Sequence, residues 1–182
     1  MFKAVLIARS SPECHLFIEL HPCACGEPHL EVRHRLVSLE DGLGAVYEGS
    51  CPRCGTPRRF EFLLDPELPP GDKFGGTKPS SIIDAGQYLT VADDAAKRVP
   101  ADMAGLDDEQ RRAASWWINR AVNALEEVIK AVPPGADAVP ASVLFSEIGK
   151  ETYAREPGRF RKRRLDTVLE VYRELLRKAR GA

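Results

Sequence analysis

The chain lacks any apolar run near the roughly 18 residues that would cross a bilayer, so no membrane association is expected. Its start, Met1-Phe2-Lys3-Ala4-Val5-Leu6-Ile7-Ala8-Arg9, lacks the small-residue cleavage site that follows the apolar stretch of a secretory leader, and a cytoplasmic location is expected. Histidine is scarce, with four in 182 residues. No Ser/His/Asp arrangement, dinucleotide loop, metal-hydrolase helix or carboxylate pair accompanies them, so neither an enzyme nor a small-molecule substrate is implied. Net charge is nearly absent too, at −1, and the pI near 6.4 lies below the basic balance of a dedicated nucleic-acid binder. With 43% hydrophobic and 29% charged residues, the composition is that of a folded globular protein rather than a disordered one.

Five cysteines are present, an odd number that argues against an extracellular disulfide framework. Four of them form two tight pairs, Cys23-Ala24-Cys25-Gly26 and Cys51-Pro52-Arg53-Cys54-Gly55. This is the spacing of two metal knuckles, and the glycine after each second cysteine lets the backbone curl so that amides approach the sulfurs. Four thiolates complete a tetrahedron around Zn²⁺ and leave no position for water, so the implied cofactor is structural zinc. The rival ligand set replaces one thiolate with His21, His29 or His34. A catalytic zinc would need an open position, which four cysteines do not leave. Cys14 is the unpaired thiol, with His15 beside it. Neighbours on a helix point in different directions, so Cys14 reads as a small buried residue rather than half of a dyad.

Around the pairs the pattern is one of short strands. Ser11-Pro12-Glu13 suits a helix start, with Ser11 as N-cap and Pro12 at the first helical position; Leu16, Phe17, Ile18 and Leu20 also suit a strand, and Pro22 ends the element in either case. A strand is expected from His29 to Val37, a turn at Glu40-Asp41-Gly42, a second strand from Gly44 to Gly49, and a third from Arg58 to Leu64. Knuckle, hairpin, knuckle and strand make a three-stranded antiparallel zinc ribbon, placed at residues 1–64. Residues 65–79 concentrate proline and glycine and read as a linker. Within it, Gly71 to Lys78 superficially matches a phosphate-binding loop, but Thr77 precedes Lys78 and Pro79 follows, which breaks that pattern.

Residues 80–182 read as a helical bundle of three to four helices, making the whole chain α+β with the ribbon packed against the bundle. One helix is expected from Ser80/Ser81 to Pro100, with Ile82, Ile83, Leu89, Ala92, Ala96 and Val99 available for burial. A second starts at an Asp107/Gln110 capping box and carries the stripe Ala114, Trp117, Ala121, Leu125, Val128 and Val132. Between Pro140 and Tyr153 a short helix is expected to point Val143, Leu144, Phe145 and Ile148 inward, with Gly149 weakening it. The last starts near Glu156-Pro157 and presents Leu165, Leu169 or Val168, Tyr172, and Leu176 or Leu175 on one face.

The charge is unevenly spread. Residues 65–110 hold ten anions against four cations, whereas residues 155–182 hold ten cations against four anions. The basic run Arg159-Phe160-Arg161-Lys162-Arg163-Arg164 can pair with the acidic middle, face solvent, or meet a partner. Trp116 sits at the edge of its helix stripe, where a tryptophan is either ordinary packing or an interface anchor. The expected function is therefore a non-enzymatic, zinc-stabilised protein-interaction module: an adaptor or an inhibitor, for instance a toxin-neutralising immunity protein. Its candidate partner-binding residues are Arg159, Arg161, Lys162, Arg163, Arg164 and Trp116. The alternative is a zinc-ribbon nucleic-acid-binding regulator that uses the basic last helix.

Overall fold

A short helix, α1 (Ser11–Leu20), lies against a four-stranded sheet in the order β1 (Leu6–Ala8), β4 (Pro57–Leu64), β3 (Gly42–Ser50), β2 (Arg33–Leu39). The computed structural model describes residues 5–67, 69, 71–103 and 105–181. Met1 to Ala4, and Leu68 and Pro70 of the expected linker, lie outside the described residues. The chain forms two compact units, 1–82 and 83–182. The fold is α+β.

In the first unit, β2 (Arg33–Leu39), β3 (Gly42–Ser50) and β4 (Pro57–Leu64) are antiparallel as expected, but β2 starts at Arg33 rather than His29, so Leu30 and Val32, which carried the alternation, precede the strand. The expected three-stranded sheet needs one correction. β1 (Leu6–Ala8) adds a fourth strand, parallel to β4 in the register Leu6↔Phe62, so the sheet is mixed. Three residues are too few to display a period, and their partner lies more than 50 residues away, so no local signal marks them. The Tyr47↔Phe60 and Ala45↔Phe62 pairs place aromatic rings on the face beneath α1. Phe17 meets Phe60 and Phe62 edge-on at 6.3 and 5.5 Å between centroids, and Tyr47 meets Phe62 at 5.7 Å. Each fully buried ring of this kind contributes about 1.5–3 kcal/mol. On the opposite face Arg59 pairs with Glu48 and with Glu61 at 2.7 Å, all about half exposed, which adds little stability.

The N-cap of α1 is Ser10 rather than Ser11, and Pro12 is the second helical residue. The Ser10 hydroxyl accepts the Glu13 amide at 3.0 Å and donates to the Phe74 carbonyl at 2.7 Å, a tertiary bond the local sequence does not announce. Arg9 and Glu13 are buried together at 5% and 0% exposure, and the Arg9 guanidinium also donates to the Lys78 carbonyl at 2.5 Å. The Pro/Gly-rich stretch, which contains no helix or strand among its described residues, belongs to the first unit and is tied by these bonds to the start of α1.

The second unit contains α2 (Ala85–Ala96), α3 (Asp108–Lys130), α4 (Glu147–Arg155) and α5 (Lys162–Ala179), with 3-10 turns at Ala141–Val143 and Pro157–Phe160. α3 packs on α2 and α5, and α2 packs on α4. α3 starts at the expected Asp107/Gln110 capping box. Its core stripe turns through Ala114, Ile118, Ala121, Leu125 and Val128, and Ile118 fills the place expected for Trp117, which is half-buried.

α2 starts later than Ser80/Ser81 because Asp84 caps it. The Asp84 carboxylate is 2% exposed. One oxygen accepts the amides of Gly86 and Gln87 at 3.0 Å each, and the other accepts those of Phe145 and Ser146 at 2.9 and 2.6 Å, so one side chain serves the starts of both α2 and α4. The helices meet so closely there that a Cβ on Gly149 would lie 2.3 Å from Asp84 Oδ1, and one on Gly86 would lie 2.3 Å from Gly149 Cα. Gly149 is thus a contact residue and not merely a weak helix former. Of the four residues expected to point inward here, only Leu144 is buried. Val143, Phe145 and Ile148 are exposed, because the 3-10 turn and the Ser146 cap break the single helical frame that would have aligned them. α5 starts at Lys162 rather than near Glu156. Val139 donates to the Phe160 carbonyl and Lys162 to that of Asp137, which folds the preceding residues into a separate turn with Phe160 fully buried. Among the described residues no helix is long and apolar enough to cross a membrane.

Candidate metal centre

Two turns carry the cysteines, and each is closed by its own backbone. After α1, Cys23 N–H donates to the Glu27 carbonyl at 2.9 Å and Gly26 N–H to that of Cys23 at 2.7 Å. Beyond the last β3–β4 pair, Ser50↔Pro57, Cys51 N–H donates to Thr56 at 2.9 Å and Gly55 N–H to Cys51 at 2.8 Å. Gly26 and Gly55 sit at φ +85° and +74°, a region costly for residues with a Cβ. This is the physical reason a glycine follows each pair. Arg53 ties the turns together by donating to the Cys25 carbonyl at 3.1 Å, and Arg58 reaches the His21 carbonyl.

The turns bring Cys23, Cys25, Cys51 and Cys54 together with all four Sγ atoms within 4.8 Å of one another. Cys23 and Cys54 approach to 3.5 Å and Cys25 and Cys51 to 3.6 Å. A disulfide needs about 2.05 Å, so these are free thiols. Four sulfurs around Zn²⁺ at about 2.3 Å stand about 3.8 Å apart at the edges of the tetrahedron. The cluster has nearly that size, and its donor set can hold a metal ion.

The electrostatics explain why a cation fits. Within the cluster Cys25 and Cys54 are pushed in opposite directions. The Thr56 hydroxyl, 3.2 Å from Cys54 Sγ, is the largest influence lowering that thiol to about 6, with help from the Thr56 backbone and the sulfurs of Cys25 and Cys23. At Cys25 a backbone bond from Glu27 lowers the value, but burial and the three neighbouring sulfurs outweigh it and push the thiol up to about 12. A divalent cation reverses that opposition, because it stabilises all four thiolates at once.

No histidine joins the cluster. His21 is the C-cap of α1; its Nδ1 donates to the Phe17 carbonyl at 2.7 Å and its ring stacks on Phe17 at 3.9 Å. His34 stacks on Tyr47 at 5.6 Å. Cys14 is fully buried, and desolvation pushes its thiol up to about 12, which leaves it without nucleophilic character near neutral pH. His15 contacts the edge of Tyr47 at 5.2 Å, and burial, with His34 nearby, lowers its pKa.

The basic run is dispersed rather than gathered. Arg159 grips Asp93 through two bonds of 2.8 and 2.5 Å, Lys162 pairs with Asp166 at 2.6 Å, and Arg164 pairs with Glu156 at 2.7 Å. Arg161 and Arg163 are exposed and make no side-chain bond among the described residues. Trp116 is 56% exposed, packs edge-on against Trp117 at 4.5 Å, and lies 5.7 Å beneath the Arg120 guanidinium. Arg98 covers Trp117 at 4.4 Å. Sequence reasoning passed over Arg53, Thr56 and Arg58, which brace the cluster; a hydroxyl two residues after a knuckle cysteine was the one available signal. Comparison with protein-family models, with curated proteins and with solved structures found no match for this chain.

Proposed function

We propose that the protein is a zinc-stabilised interaction module, with a ribbon-type first unit, that binds another protein and catalyses no reaction. The observation that carries this reading is the four-cysteine cluster: its sulfurs supply a full tetrahedral shell, so a zinc ion there holds the chain together and offers no position to a substrate. What is left for function is the surface. Trp116 is a large aromatic more than half exposed beside guanidinium groups, the residue types that dominate protein interfaces. Arg161 and Arg163 add charge directed to solvent, which suits an acidic partner acting as adaptor target or inhibited protein. The nucleic-acid reading is weaker, because half of the six-residue run is engaged in ion pairs within the chain.

The test has two parts. Elemental analysis of protein purified without added metal is expected to give one zinc per chain, and a metal-free but folded protein would sink the metal assignment. Affinity isolation from the native host, with a nuclease-treated control and a Trp116→Ala variant, is expected to recover a protein that survives nuclease and is depleted by the substitution. Enrichment that vanishes on nuclease treatment would transfer the function to nucleic acid.

A further inference from the structure

The four cysteines of the cluster differ in their exposure to solvent. Cys23 and Cys51 are 6% and 2% exposed and Cys25 is half-buried, whereas Cys54 is exposed at the surface. Cys54 Sγ lies 3.5 Å from Cys23 Sγ, and the remaining two sulfurs form the other close pair at 3.6 Å. We infer that Cys54 is an oxidation site: a peroxide-class oxidant reaches its sulfur first, and the product closes a disulfide with Cys23 that dismantles the metal shell. The inference rests on the zinc reading above. It gives that shell a second property, sensitivity to oxidants through one corner.

The chemistry balances without any group beyond the oxidant. The Cys54 thiolate attacks one peroxide oxygen; the O–O bond breaks, an S–O bond forms, and hydroxide leaves, which gives a sulfenic acid. The Cys23 thiolate then attacks the Cys54 sulfur; the S–S bond forms, the S–O bond breaks, and a second hydroxide leaves. Two thiolates have supplied two electrons, and the peroxide has been reduced to two hydroxides. The sulfurs need close only about 1.5 Å to reach disulfide length. Cys25 and Cys51 remain as two thiolates, too few to hold a structural ion. Thr56 restrains the first step, because a hydroxyl donated to the Cys54 sulfur draws charge from the attacking atom.

Zinc content is measured first on the purified chain, then followed with a chromogenic chelator as hydrogen peroxide is added, and the products are mapped by mass spectrometry. The expected result is release of one zinc in step with a Cys23–Cys54 disulfide, reversed by dithiothreitol and zinc. Thr56→Val keeps all four ligands and the backbone bonds of the turn, and it is expected to release zinc about two- to tenfold faster. Protein without zinc at the outset removes the basis of this inference together with the metal reading. Zinc that is present but retained under peroxide overturns this inference alone. So does a disulfide that omits Cys54, or a Thr56→Val rate equal to or below that of the parent.

Discussion

The two units each join elements distant in sequence at a polar centre, half-exposed in the first and buried in the second, and they satisfy that centre differently. In the first, four sulfurs from two turns crowd within 4.8 Å and repel one another once ionised, so the centre can take up a cation. In the second, the Asp84 carboxylate accepts four backbone amides from the starts of α2 and α4, so the chain itself provides every partner. The first unit buries Leu16, Phe17, Tyr47 and Phe62, and a metal ion at the cluster would join its two cysteine turns to each other. α3, at 23 residues, lays a continuous apolar stripe against α2 and α5 and needs no such aid.

The comparison predicts that chelation separates the units. Stripping zinc removes binding energy of about 10–16 kcal/mol on the scale of small zinc peptides, so hydrogen exchange should lose protection across β2, β3 and β4 while α3 keeps it. Equal loss in both units would break the contrast. The reciprocal experiment is Asp84→Ala, which strands four amides at two helix starts and is expected to cost about 3–5 kcal/mol. Its loss of protection should fall on α2 and α4, with zinc content unchanged at one per chain; loss of zinc in this variant would mean that the centres are not independent.

Gly149→Ala sharpens the second half of the comparison. The added methyl would enter the Asp84 carboxylate, and a cost of about 1–3 kcal/mol is expected from calorimetry. A change in melting temperature too small to measure would show that the close helix contact can relax. The smallest effect is reserved for the basic run. Arg159→Ala removes a partly exposed pair with Asp93 and should cost at most about 1 kcal/mol, while reversal of both Arg161 and Arg163 to glutamate should leave stability within about 0.5 kcal/mol. Any larger loss in the double variant would identify those arginines as fold elements rather than surface charge.

Legibility followed the range of the interactions involved. The β2–β3 hairpin and its continuation into β4 could be read because alternation and turn residues are local, and α3 could be read because its capping box and stripe lie within one helix. Val143, Phe145 and Ile148 were misplaced for the opposite reason: whether a short apolar segment turns inward depends on where its helix starts, and the residues before the Ser146 cap are held by Asp84, some sixty residues earlier. The basic run misled in the same way. Its residues look like one patch in sequence, but Arg159 belongs to a 3-10 turn and reaches α2, while Lys162 and Arg164 find partners of their own.

By itself the sequence determined the four ligand candidates, since a glycine-closed cysteine turn is a local device that two or three residues specify, and it determined the long amphipathic helix. Only the tertiary structure decided that β1 completes the sheet beside β4, that one aspartate caps two helices, and that Cys54 is the most exposed of the four clustered cysteines. Each of these depends on which distant segment comes to lie beside which. Strand pairing, burial and the sharing of a carboxylate are properties of that arrangement in space, and no local pattern of side chains encodes them.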